Sequence, residues 1–115
     1  MTSPELTASL AQRVMRWTVA PGRYLMENRR WKPAWRFQPT KKLEDAFRLL
    51  DAADPEEYSI NARRGGAFIV RVRIGGTIGE ASDTSKARAI THAVARAVGL
   101  EPEDCRQSKT LARHQ

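Results

Sequence analysis

Cysteine occurs once in this 115-residue chain, at Cys105, and histidine twice, at His92 and His114. A lone cysteine leaves no internal disulfide, which fits a reducing compartment. Two distant histidines and no spaced set of Asp, Glu and His give no framework for a structural or catalytic zinc. His92 and Cys105 do not read as a thiol pair either: the histidine falls on the polar side of the last expected helix and the cysteine lies past its end. No apolar run approaches the ~20 residues of a membrane span. The start, Met1-Thr2-Ser3-Pro4-Glu5, lacks the basic-then-apolar pattern of a secretory leader, so a soluble, cytoplasmic protein with no membrane partner is expected. Gly65-Gly66 and Gly75-Gly76 read as turns, and neither fits a phosphate-loop spacing. Glu44 and Asp45 are adjacent, so their side chains do not face each other on a helix. Nothing assembles an acid, a base and an oxyanion site. The expectation is a protein that is not an enzyme and uses no cofactor, metal or catalytic residue.

What the chain does have is basic charge, unevenly spread. Its formal net charge is +7, and hydrophobic residues make up 41% of it, enough for one globular core. Residues 1–37 carry net +5, residues 38–60 net −3, residues 61–80 net +3 and residues 81–115 net +2. A basic surface attracts polyanions. Arginine far outnumbers lysine, so codon usage in the source is an alternative origin of the excess.

The patterning predicts three helices. The first spans about Pro4 to Met15, with Ser3 as cap and Leu6, Leu10 and Val14 as its apolar stripe. The second spans about Lys41 to Asp51, capped by Thr40, with Leu43, Ala46, Phe47 and Leu50 inward. The third spans about Thr84 to Val98, capped by Asp83 or Thr84 and ended by Gly99, with Ile90, Val94, Ala97 and Val98 inward. Between the first two lie a short hairpin about Pro21-Gly22 and an extended piece, Trp31–Phe37, which Pro33 demotes to an edge. Between the last two lie three strands: Tyr58–Ala62, Ala67–Ile74 and Thr77–Glu80. Phe68, Val70, Val72 and Ile74 share one face of the middle strand; Ile69, Arg71 and Arg73 share the other. The expected fold is α/β (α+β): an antiparallel sheet of about 4–5 strands sandwiched by helices and containing an α-β-β-β-α unit. One domain over 1–107 and a loose tail over 108–115 are expected.

The candidate binding surface follows from charge and aromatics together. Arg29, Arg30, Lys32 and Arg36 interleave with Trp31, Trp35 and Phe37. Guanidinium groups pair phosphates and indole faces stack on bases, but exposed Trp and Arg also anchor protein interfaces. Phe37 reads better as core. Arg63 and Arg64 in a glycine turn, with Arg71 and Arg73 on a strand face, are candidates to extend this surface as a basic strip, unless the first helix covers that face. Lys86, Arg88, His92 and Arg96 form a secondary basic stripe along the third helix.

Three linked pieces carry a family resemblance. They are Leu10–Trp17 with Val14-Met15-x-Trp17, Phe37-x-Pro39-Thr40 leading into Asp45-Ala46-Phe47, and Gly79-Glu80-Ala81 before Ala89-Ile90. In this order they resemble the phage ABA-sandwich domain, a small α/β family of phages and prophages. The resemblance implies a fold, a phage origin and hence a host-cytoplasm location, but no chemistry. The basic loop Arg29–Arg36 departs from the family pattern. The last two-thirds also resemble a double-stranded-RNA-binding domain in element order and at Glu80-Ala81 to Thr84-Ser85-Lys86. Of that module's lysine cluster only Lys86 is present, and Arg63-Arg64-Gly65-Gly66 replaces its Gly-Pro-x-His. Taken together, the chain reads as a phage or prophage accessory protein acting by binding a host protein or nucleoprotein complex, for example as an inhibitor of a host defence system. The alternative is a factor binding double-stranded RNA or DNA. A homo-oligomer is compatible with either.

Overall fold

The computed structural model describes residues 3–26 and 28–100. The element order is α1 (Ser3–Arg13), β1 (Thr18–Ala20), β2 (Arg23–Leu25), β3 (Trp31–Pro33), a 3-10 turn (Ala34–Arg36), α2 (Leu43–Ala53), β4 (Glu57–Ala62), β5 (Phe68–Ile74), β6 (Thr77–Asp83) and α3 (Lys86–Ala97). The expected features around Cys105, His114 and the tail lie outside the described residues.

The strands form two antiparallel three-stranded sheets, β1-β2-β3 and β4-β5-β6, rather than one sheet of four or five strands. Residues 18–33 pair only with themselves: Val19 opposes Tyr24, and Tyr24 opposes Lys32. Pro33 ends β3 and the chain winds at once into the 3-10 turn, so this small sheet has no strand long enough to extend the larger one.

In the larger sheet Ile60, Val70 and Ala81 are in register, as are Tyr58, Val72 and Gly79. Val70 and Val72 are fully buried on this inner face. Ser59, Asn61, Arg71, Arg73, Glu80 and Ser82 alternate with them and are exposed. The helices therefore cover one face and do not sandwich the sheet. The first helix does not lie over Arg71 and Arg73.

Helix α3 lies across β5 and β6 and beside α2. Ala89, Ala93 and Ala97 recur every four residues, so they share one side of the helix, and all three are buried. The small side chains let the helix come very close to β6. A Cβ built on Gly79 would sit 2.1 Å from the Ala93 carbonyl oxygen and 2.5 Å from the Ala97 nitrogen. Only glycine fits there. The remaining sides of α3 are also covered: Ile90, Thr91, His92, Val94 and Ala95 are buried. Thr91 Oγ1 donates to the Pro39 carbonyl at 2.8 Å, and Arg13 from the end of α1 donates to the Val98 carbonyl at 2.8 Å. Ser85 caps α3, its Oγ accepting from the Arg88 N–H at 3.2 Å, in place of the expected Asp83 or Thr84. Gly99 follows with φ 88, as its left-handed role requires.

The expected core forms. Leu50, Val70, Val72, Ile90 and Val94 are buried, with Phe47 and Phe68 partly buried against them. Helix α2 is turned relative to expectation: Leu49 and Asp45 point inward, and Leu43 is exposed. Its N-cap is Lys42 rather than Thr40. A second part of the core is aromatic. Phe37 meets Trp17 edge-on with ring centroids 5.0 Å apart, and Tyr24 at 6.2 Å.

Gly79→Ala is predicted to cost about 3 kcal/mol or more in a urea titration, because helix backbone, not a flexible side chain, occupies the Cβ position. Ser82→Ala, on the open face of the same strand, should stay within about 0.5 kcal/mol of the parent. Near-parental stability of Gly79→Ala would show that α3 does not approach β6 this closely.

Candidate functional site

The basic residues of the 29–36 segment are placed by how its two ends are fixed. At one end Met26 and Arg30 close a tight turn: the Met26 N–H donates to the Arg30 carbonyl at 2.9 Å, and Arg29 takes a left-handed φ of 64. At the other end Phe37 is buried and Asp45 grips the connection. One Asp45 carboxylate oxygen accepts the Gln38 N–H at 3.0 Å and the other pairs with Arg48 at 3.4 Å. The first turn of α2 thereby faces β3 across a groove.

The result is a groove of about 390 Å³ lined by Arg30, Trp31, Lys32 and Arg36 from one side and Lys42, Glu44, Asp45 and Arg48 from the other. Five cations thus meet two carboxylates. One carboxylate, Asp45, is buried and already paired with Arg48. Among the described residues no carboxylate lies within ion-pairing distance of Arg30, Lys32, Arg36 or Lys42. Lys32 is half-buried, its Nζ over the Trp17 and Phe37 rings at 5.6 and 5.8 Å from their centroids. Burial, then the Arg48 guanidinium and to a smaller degree Arg36, push its pKa below the ordinary lysine value, while Asp45 and Glu44 pull the other way.

Two tryptophans stand out of the surface here. Trp31 is 48% exposed, with the Arg23 guanidinium 4.1 Å from its ring centroid. Trp35 is 67% exposed and lines an adjoining groove of about 330 Å³ with Lys41, Gln38 and Thr40. Arg36 links the two grooves: it lines the first, and its guanidinium lies 5.7 Å from the Trp35 centroid.

The other candidates lie elsewhere. Arg63 and Arg64 are exposed in the β4–β5 turn. Arg71 and Arg73 line a separate depression of about 410 Å³ on the open sheet face, where Arg73 pairs with Glu57 at 3.1 Å. The expected extension of the 29–36 surface by these arginines is replaced by one from α2, through Lys42 and Arg48. The secondary stripe on α3 does not form as a solvent-facing row. His92 is buried, and Arg96 is half-buried with Nη1 donating to the Glu80 carbonyl. Arg88 lies 3.7 Å from Asp83, and Lys86 sits over Phe68 at 5.3 Å. The sequence reading missed Lys42, Arg48 and the organising role of Asp45. Their signal was the placement of Lys41-Lys42 at a helix start only a few residues from a basic loop.

Among the described residues no group of three or more His, Cys, Asp or Glu is placed to hold a metal, and no helix is long and apolar enough to cross a membrane. No family model and no curated protein matches the chain. A crystal structure of a phage protein from Bacillus cereus ATCC 14579 shares the fold, with a TM-score of 0.70 at 12% identity over 88% of this chain and 91% of that one. At that identity the likeness establishes architecture alone. The ABA-sandwich resemblance read from motif order therefore has no matching family model behind it. What stands is a shared fold with a phage protein.

The titration of the groove is directly measurable. Between the lowered pKa of Lys32 and the ordinary lysine value, the unfolded chain keeps a proton that the folded chain has lost. Stability is therefore predicted to rise with pH in that window. Burial raises the Tyr24 phenol above its ordinary value of 10.0, so at higher pH the unfolded chain ionises first and stability falls. Urea midpoints at stepped alkaline pH should show the rise and then the fall. Lys32→Met should remove the first and Tyr24→Phe the second; a parent profile without the rise would contradict the burial of the Lys32 ammonium group.

Proposed function

We propose that this is a phage or prophage accessory protein that acts by binding and not by catalysis, with the Trp31 groove as its contact surface. The observation that carries this reading is the set of four cations that have no carboxylate within ion-pairing distance among the described residues, held beside two exposed tryptophans. Such a surface carries a standing electrostatic cost that an anionic partner relieves. The phage assignment is supported by the shared fold with the Bacillus cereus phage protein. A host nucleoprotein complex fits the site best, because it offers polyanion and protein surface together; a host defence complex is one such target. The location that follows is the host cytoplasm.

The double-stranded-RNA alternative has weaker support. The α2-β4-β5-β6-α3 order is present, but of the expected phosphate-facing groups on α3 only Lys86 is in place, and it packs over Phe68. A purely protein partner is the competing case, since Trp and Arg also dominate protein interfaces.

Affinity capture from host lysate, with and without nuclease, followed by salt titration of the recovered complex, tests the reading. The prediction is a complex lost or much reduced when Arg30, Lys32, Arg36 and Lys42 are changed together to Gln, while the variant melts no lower than the parent. Affinity should fall steeply with salt. A complex that survives those four changes unaltered would place the contact surface elsewhere.

A further inference from the structure

We infer that the groove binds single-stranded nucleic acid, with phosphates along Arg30, Lys32, Arg36 and Lys42 and bases stacked on Trp31 and Trp35. This rests on the binding role proposed above and narrows it to a ligand class. Charge alone would admit any polyanion; the aromatic placement selects among them. Phe37, Trp17 and Tyr24 are buried in the core, whereas the two remaining tryptophans stand 48% and 67% exposed beside the cation row. Each has a guanidinium over one face of its ring, Arg23 at Trp31 and Arg36 at Trp35, so a base would stack on the opposite face. A cation near an indole leaves room for a phosphate on the cation and a base on the ring, the pairing that single-strand sites use. In a duplex the bases are stacked on each other and their faces are closed to the indoles. A purely acidic peptide such as polyglutamate would satisfy the cations and leave both indoles in water. Arg36 lines the cation groove and also borders Trp35, so one strand leaving the first groove meets the second tryptophan. Lys41, beside Trp35, offers a further phosphate contact there.

The test compares a short oligothymidylate with an abasic single strand of the same length, duplex DNA, duplex RNA and polyglutamate, by fluorescence anisotropy and tryptophan quenching. The expected order places oligothymidylate tightest, the abasic strand about tenfold or more weaker, and polyglutamate weaker still. With four phosphate contacts the plot of log affinity against log salt should have a slope near about −3, and each single Lys or Arg to Gln change should reduce it by about 0.7. Trp31→Ala and Trp35→Ala should each bring oligothymidylate towards the abasic value while leaving the abasic affinity and the melting profile unchanged. Equal affinity for abasic and base-bearing strands overturns the inference and leaves the polyanion groove standing. So does preference for either duplex, or polyglutamate binding as tightly as the oligonucleotide. Absence of binding to every polyanion overturns both the inference and the groove as a contact surface.

Discussion

The rest of the structure depends on the contact between α3 and β6 at Gly79. Helix backbone occupies the space where any other residue would place a Cβ, so the helix seats against the sheet at a distance fixed by glycine and alanine. Close-packed interiors do not absorb such an intrusion locally. Because α3 is buried nearly all round, its position sets that of everything packed on it. The sheet lies on one side, α2 on another, and the connection carrying Pro39 on a third through the bond from Thr91.

That third contact links core to surface. Pro39 is held by α3, Gln38 by Asp45, and Phe37 by Trp17 and Tyr24. Three consecutive residues are thus fixed from three directions. The 3-10 turn before them and the first turn of α2 after them are placed as a consequence. The cation groove is assembled across this connection, so its geometry is set by buried groups although its lining is exposed. Buried supports of this kind hold the groove's charges in a fixed arrangement.

Periodicity made the three helices, the central strand and its face assignment legible, because Val70, Val72 and Ile74 alternate with Arg71 and Arg73. It failed where a residue's surroundings come from distant chain. Leu43, Ala46, Phe47 and Leu50 fit a helical stripe as well as the observed inward set, and only packing beside α3 turns Leu49 in and Leu43 out. His92 reads as polar, yet α3 is covered on its third side and His92 is buried. The count of strands in one sheet depends on whether residues 18–33 pair with each other or with β4 and β6, a choice that three-residue strands do not encode. The basic loop was legible as a candidate site. Its partner, the start of α2, was not, because the approach depends on a buried carboxylate that sequence patterning assigns to a helix surface.

The two basic surfaces of the molecule are handled differently, and the difference is why the groove and not the sheet face is the proposed contact surface. On the open sheet face, Arg73 pairs with Glu57 and Arg71 stands in register with Glu80, so the strand charges are offset across the ladder. In the groove, Arg30, Lys32, Arg36 and Lys42 have no such partner among the described residues, and the buried Asp45 carboxylate is engaged by Arg48 and the Gln38 amide. Burial, with the Arg48 and Arg36 guanidinium groups adding to it, lowers the pKa of Lys32 despite two aromatic rings beneath its ammonium group. A region serving only the fold gains nothing from that arrangement, since neutral side chains would support β3 equally well without self-repulsion. Under the binding role proposed above, the same arrangement would serve an anion site, because repulsion among these cations would be relieved when an anion binds.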